Sequence, residues 1–178
     1  MDIEALMSSS KVYVSDISNY KEALQAIQKI GELTNRQQES ENLIQKIESS
    51  FSILSNLSTK RKKVCYLIWK DPIMTIGKDT FIHDMLDKCG FENIFGNQKR
   101  YPTVTAEEIR SKNPDYIFLS SEPFPFKEKH IEEYQSTFPD SKVILVDGEY
   151  FSWYGSRMVE ATRYFHKLKK ENSRFPSP

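Results

Sequence analysis

Aromatic, acidic and sulfur-containing side chains concentrate in three loops, each of which follows a short apolar segment. The candidate ligand-binding residues of the first and third loops are Trp69, Asp71, Met74, Tyr150, Trp153 and Tyr154. Indole and phenol rings combine a large apolar face with a polar edge, which suits recognition of a large ligand. The alternative for the rings at 150–154 is burial in a core, but a loop bounded by Gly148 and Gly155 favours a cleft wall.

Charged side chains complete this candidate surface. Arg157 follows Ser156 at the start of a predicted helix, whose N-terminus carries partial positive charge and can receive a carboxylate or phosphate. Arg100 is a second candidate to meet anionic groups of a ligand. Glu122 lies between an apolar segment and two prolines, which hold it at the tip of its loop. The alternatives are a surface ion pair for Arg157 and a solvated loop acid for Glu122.

The residue types needed for metal or nucleophilic chemistry do not occur at the required spacing. His83, His130 and His166 fall in three different predicted helices, and none has a second histidine or cysteine at ligand spacing. The sequence contains no G-x-S-x-G, no G-x-G-x-x-G and no phosphate-binding P-loop. Cys65 and Cys89 are predicted to be reduced packing residues. We therefore predict no metal ligands, no intrinsic cofactor and no enzymatic activity.

Composition narrows the range of partners. The chain has 178 residues, with 25 Lys and Arg against 25 Asp and Glu. This balance removes the electrostatic argument for nucleic-acid binding, which needs a basic surface. No apolar run reaches the length of a membrane span. The first residues, MDIEALMSSS, contain two acids and lack the apolar segment of a signal peptide.

Periodicity predicts a helical first third followed by alternating strands and helices. Residues 20–57 are predicted to be helical, with interruptions at Gly31 and at Thr34–Asn35. The first helix is expected to bury Ala23, Ala26, Ile27 and Ile30, and the second, residues 36–57, to bury Leu43, Ile47, Phe51 and Leu54. Strands are predicted at residues 11–17, 64–69, 115–121 and 142–146, and further helices after Asp79 or Thr80, after Thr105, at 127–137 and at 157–170.

This alternation predicts an α/β fold, with a three-layer α/β/α lobe built on a parallel sheet and a long linking helix beside it. In a parallel sheet, the loops after successive strands meet at one edge, where ligands bind. The loops at 69–78, 120–126 and 147–156 are therefore expected to share one edge.

Three segments carry a family resemblance: IWKDPIMTIGKDTFIHDMLDKCGFENIF, SSEPFPFKEKHIEE and VDGEYFSWYGSRMVEA. Together they resemble the helical-backbone, TroA-like substrate-binding proteins of ABC importers, the class that binds cobalamin, ferric siderophores, haem or metal. The resemblance implies two lobes joined by a long helix, with the ligand between them. It places residues 1–18 at the end of a first lobe, 19–62 in the linking helical segment, 63–170 in the second lobe and 171–178 in a tail, with most of the first lobe absent.

The resemblance also implies a small-molecule ligand and an ABC transporter permease as partners. Family members dock on the permease through an acidic residue on each lobe, for which Glu122 is the candidate and Glu149 the second. The implied location is periplasmic or at the cell surface, with a cytoplasmic location left open by the N-terminal residues. The alternatives are a flavodoxin-like α/β enzyme or regulatory domain, and a cytoplasmic paralogue without a transport role. The sequence does not choose among cobalamin, haem, ferric siderophore and bare metal as ligand.

Overall fold

The computed structural model describes residues 7, 9–54 and 61–172. Two helices precede a region in which strands and helices alternate. The elements in chain order are α1 (Tyr20–Leu33), α2 (Gln37–Ser52), β1 (Lys62–Leu67), α3 (Phe81–Lys88), β2 (Phe91–Asn93), α4 (Ala106–Ser111), β3 (Tyr116–Ser120), α5 (Glu128–Thr137), β4 (Lys142–Val146), α6 (Glu149–Ser152) and α7 (Arg157–Asn172).

The four strands form one parallel sheet in the order β2-β1-β3-β4. Val64 of β1 is paired with Tyr116 of β3, and Ile117 of β3 with Val143 of β4. The predicted parallel arrangement of the three longer strands is confirmed. The sequence prediction missed β2, because three residues are too few for a periodic signal and the strand forms by pairing with the start of β1.

Side chains on the two faces of the sheet fill two separate cores, as alternation along a strand requires. Val64 and Tyr66 of β1 join the core that also contains residues of α1, α2, α3 and α7. Cys65 and Leu67, which point the other way, join the core with residues of α4 and α5. This confirms the predicted three-layer α/β/α architecture.

The two N-terminal helices differ in detail from their prediction. Asn19 caps α1 by accepting a hydrogen bond from the Glu22 amide. The chain continues as a helix through Gly31, where a Cβ atom would lie 2.2 Å from Oγ of Ser40. Gly31 therefore permits close packing of the two helices and is not a break. Ile30 is 52% exposed, so its predicted burial is wrong.

Two further predicted elements need correction. Residues 11–17 do not form a strand and are largely exposed, because no strand of the described sheet pairs with them. The second helix spans 16 residues and ends at Ser52. Residues 55–57 of its predicted end lie outside the described residues. Ile47, Phe51 and Leu54 are buried as predicted, and Leu43 packs partly buried against the core.

Candidate ligand-binding site

A cavity of about 500 Å³ opens at the carboxyl edge of the sheet. Its lining residues come from the segments after β1 and β3, from α3, from the segment after β2 and from α6. They are Ile68, Trp69, Met74, Ile82, Tyr101, Glu122, Pro123 and Ser152. All but two of these side chains are apolar or aromatic, which is the composition of a site for a large organic ligand.

The loop after β1 is a closed turn that holds two predicted ligand residues in the cavity wall. The Met74 amide donates to the Trp69 carbonyl over 3.2 Å, and the Ile68 amide donates to the Met74 carbonyl over 3.0 Å. The Trp69 indole donates to the backbone carbonyl of Asp71 and packs edge-on against Phe124 at 5.5 Å. These contacts fix the positions of Trp69 and Met74 in the wall.

The same turn brings in Tyr101, a lining residue that the sequence prediction did not include. The Thr75 amide donates to the Pro102 carbonyl, and the Val104 amide donates to the Ile73 carbonyl. These two bonds hold the segment after β2 beside the loop after β1. Tyr101 has no periodic or motif signal, because its position depends on these contacts between distant segments. Ile68, Ile82, Pro123 and Ser152 were missed for the same reason.

Asp71 and Arg100, two predicted ligand residues, do not line the cavity. Asp71 is exposed, and its contribution to the loop is the backbone carbonyl that receives the Trp69 indole. The Arg100 side chain is 68% exposed, and its Nε lies 3.7 Å from Oδ2 of Asp79. The Arg100 amide also donates to Asp79, and this bond is the main reason that the pKa of Asp79 is lowered. Arg100 thus supports a loop through Asp79.

A chain of hydrogen bonds connects the core to the loop after β3. The Tyr66 hydroxyl donates to Oγ of Ser120 over 3.0 Å, and Ser120 Oγ donates to the Glu122 carbonyl over 2.6 Å. Burial raises the pKa of Tyr66, so the phenol remains a neutral donor. The Gly148 amide donates to Ser121 Oγ, which ties this loop to the segment after β4. The backbone at Glu122 is therefore held from both neighbouring strands.

The aromatic residues after β4 divide into two groups. Phe151 is fully buried and meets Tyr66 edge-on at 5.2 Å, so it is a core residue. Tyr150 is partly buried and stacks on Tyr164 at 4.6 Å. Trp153 and Tyr154 are about half exposed. The predicted loop contains the one-turn helix α6, which turns Phe151 inward and leaves the following rings outside.

Glu122 connects these rings to the cavity. Its Oε1 accepts hydrogen bonds from Oγ of Ser152 at 2.7 Å and from Nε1 of Trp153 at 2.9 Å. Glu122 and Ser152 line the cavity, whereas Tyr150, Trp153 and Tyr154 are not among its lining residues. The structure thus places Glu122 in the cavity wall, where it orients Trp153.

The Arg157 guanidinium contacts residues of its own segment, 149–160. Its guanidinium forms an ion pair with Glu149, lies 3.4 Å from a carboxylate oxygen of Glu160, and sits 5.1 Å from the centre of the Tyr150 ring. Within the described part of the chain, Nε of Arg157 is buried without a hydrogen-bond partner. The ion-pair alternative therefore describes Arg157 better than direct contact with a ligand in this cavity.

The charge of Glu122 influences the pKa of Asp147 at this edge. Burial raises the pKa of Asp147, and the charge of Glu122 raises it further, whereas the Arg157 charge acts in the opposite direction. Oδ1 of Asp147 accepts a hydrogen bond from the Glu149 amide at 3.1 Å. The raised pKa of Asp147 therefore reflects its burial first, with the opposing charges of Arg157 and Glu122 acting on it from nearby.

The described residues contain no cluster of three or more His, Cys, Asp or Glu side chains suited to holding a metal ion. Nδ1 of His83 lies 3.2 Å from the Asn93 amide nitrogen, and Asp87 pairs with Arg61. Among the helices described, none combines the length and the apolar character that crossing a membrane requires.

Comparison with known proteins identifies the family. A curated ABC transporter substrate-binding lipoprotein of Bacillus subtilis (strain 168), itself uncharacterized, is 25% identical over 158 residues, which are 83% of this chain and 49% of the relative. A vitamin B12-binding protein of Salmonella paratyphi A (strain ATCC 9150 / SARB42) is 26% identical over 104 residues, which are 58% of this chain and 38% of the relative. The chain thus spans half or less of the length of these relatives.

A solved structure shares the fold. The periplasmic solute-binding protein of Staphylococcus epidermidis ATCC 12228 superposes with a TM-score of 0.80 at 24% identity, covering 97% of this chain and 70% of that one. The profile of the family described as "Periplasmic binding protein" matches residues 2–141. The chain therefore belongs to the periplasmic binding protein family.

Proposed function

We propose that the protein is the substrate-binding component of an ABC importer for a ligand of the cobalamin, haem or ferric-siderophore type. The observation that carries the proposal is the cavity at the carboxyl edge of the parallel strands, with Trp69, Met74 and Tyr101 in its wall. Family membership supports this function over the flavodoxin-like alternative. The vitamin B12-binding relative favours cobalamin as the first ligand to test.

In this proposal the chain contributes one wall of a cleft that two lobes form together. The ligand would lie against the half-exposed ring of Trp69 and the ring of Tyr101, and no chemistry on the ligand is required. The partners would be an ABC transporter permease and the small-molecule ligand, at a periplasmic or cell-surface location. Docking on the permease through Glu122 or Glu149 stays a prediction; both carboxylates already have partners within the lobe.

Isothermal titration of the chain with cyanocobalamin, hemin and ferrichrome tests the proposal. We expect one of these to bind with a stoichiometry of one, and Trp69→Ala and Tyr101→Ala each to weaken that binding on the order of tenfold, because aromatic anchors dominate such sites. Tyr13→Ala is a matched control, since Tyr13 is about as exposed and does not line the cavity. Binding of flavin in place of all three ligands would support the flavodoxin-like alternative instead.

A further inference from the structure

We infer that Glu122 is a selectivity group, which makes this cavity wall favour ligands that present amide N–H groups and disfavour ligands that present carboxylates. The inference rests on the proposed function, and it names the class of ligand that the site would accept. It follows from the position of one fixed carboxylate in a wall that is otherwise nearly apolar.

The first step is the fixed orientation of the carboxylate. Oε1 of Glu122 accepts from Trp153 and Ser152, and the backbone carbonyl of the same residue accepts from Ser120. Both side-chain donors are neutral, so they orient the carboxylate and leave its charge uncompensated. Among the described residues, the hydrogen bonds to the Glu122 carboxylate end on Oε1, and the residue itself lines the cavity.

The second step is the absence of a compensating cation in the wall. None of the eight side chains that line the cavity is a lysine, arginine or histidine. Of the bases in the loops at this edge, Arg157 is held by Glu149 and Glu160, Arg100 lies beside Asp79, and Lys70 pairs with Glu133. Asp147 adds a second acid whose ionisation Glu122 disfavours.

The third step is the effect of the apolar surroundings. Ile68, Met74, Ile82 and Pro123 exclude water from around the carboxylate when a ligand fills the cavity. Coulomb interactions strengthen as the effective dielectric constant falls. A ligand carboxylate at this wall would therefore be repelled, whereas an amide N–H would form a charge-assisted hydrogen bond.

Matched ligand pairs in which a neutral amide or ester is replaced by a carboxylate test the inference. One pair is cyanocobalamin and its monocarboxylic acid, in which a side-chain amide is hydrolysed; the other is hemin dimethyl ester and hemin, whose propionates are free. Each pair is titrated into the wild type, Glu122→Gln and Glu41→Gln. Gln retains an acceptor oxygen for Trp153 and Ser152 and removes the negative charge. Glu41→Gln makes the same change in net charge at an exposed position on α2.

We expect the wild type and Glu41→Gln to bind the amide or ester member of each pair on the order of tenfold more tightly than the carboxylate member. This preference should shrink in 1 M salt. In Glu122→Gln the preference should disappear, because the carboxylate ligand gains affinity. A preference unchanged in Glu122→Gln, or no preference in the wild type, overturns the inference and leaves the proposed function standing. If ferrichrome and every member of both pairs fail to bind to all three folded proteins, the proposed function fails, and the inference fails with it.

Discussion

The hydroxyl of Tyr66 on β1 donates a buried 3.0 Å hydrogen bond to Oγ of Ser120, the last residue of β3. Oγ of Ser120 in turn donates a hydrogen bond to the backbone carbonyl of Glu122. The centre of the sheet is thus linked to the wall of the cavity through two side chains. This link gives the loop after β3 a defined backbone position, although the loop lies at the surface.

Tyr66→Phe should reduce the free energy of unfolding by about 1 kcal/mol, the usual net value of a buried hydrogen bond. Ser120 retains its bond to Glu122, so the fold should persist. Urea denaturation followed by circular dichroism measures the change. Tyr13→Phe, at an exposed position, should leave the unfolding free energy unaltered, and equal stability of the two variants would contradict a role for the Tyr66 bond.

Phe151→Ala should lower the free energy of unfolding by roughly 3–5 kcal/mol, because it removes a fully buried ring. Tyr154→Ala, three residues later and half exposed, should cost about 1 kcal/mol or less. Parallel chemical denaturation of both variants makes the comparison. Similar losses would mean that α6 does not separate a core ring from a surface ring.

Trp153→Ala should weaken ligand binding by about 1–3 kcal/mol, because the indole donates a hydrogen bond to Glu122, which lines the cavity. The loss of stability should be small, because the ring is half exposed. Trp153→Phe removes the indole N–H and keeps a ring, so it isolates the bond to Glu122. Calorimetric titration beside thermal melts separates the two effects. A fall of several degrees in melting temperature with unchanged affinity would show that Trp153 contributes to packing and not to ligand binding.

Asp147→Asn should stabilise the protein at neutral pH. The folded-state pKa of Asp147 is raised, chiefly by burial, so the folded protein holds this proton more tightly than the unfolded chain. Stability is therefore lost as the pH rises from the ordinary aspartate range through the folded pKa, and asparagine, which keeps an acceptor for the Glu149 amide, avoids that loss.

Thermal melts of Asp147→Asn and the wild type from pH 3 to pH 8 check this prediction. The difference in melting temperature should be absent at the acid end and should grow toward neutrality. A variant less stable than the wild type at pH 7 would show instead that the attraction of Arg157 for the Asp147 charge outweighs burial.

Both cysteines should resist thiol reagents in the folded protein. Burial raises the pKa of Cys65 to about 12 and that of Cys89 well above its ordinary value, so neither forms thiolate near neutral pH. Dithionitrobenzoate at pH 8 should label no thiol in the native protein and two after denaturation. Rapid labelling without denaturant would show that one of the two helical layers opens.

Local signals in the sequence determined the elements themselves. The charge-free strand β3 is buried where it was predicted, whereas β1 begins at Lys62, two residues before its predicted start, and ends at Leu67. Thr105 with Glu108 forms a capping box at the start of the helix predicted after Thr105. Thr80, one of the two predicted caps, accepts the His83 amide. These features depend on residues close in the chain, and the alternation of strands and helices then restricts the connections to a parallel sheet.

The tertiary structure alone decided which side chains meet at the site. Tyr101 reaches the cavity through backbone bonds between distant segments, and Arg157 turns away because Glu149 lies within reach. Glu122, predicted at a loop tip, enters the wall because Ser152 and Trp153 donate to it from 30 and 31 residues away. Such contacts leave no periodic trace in the sequence, because they depend on how three loops pack and not on the residues next to each position.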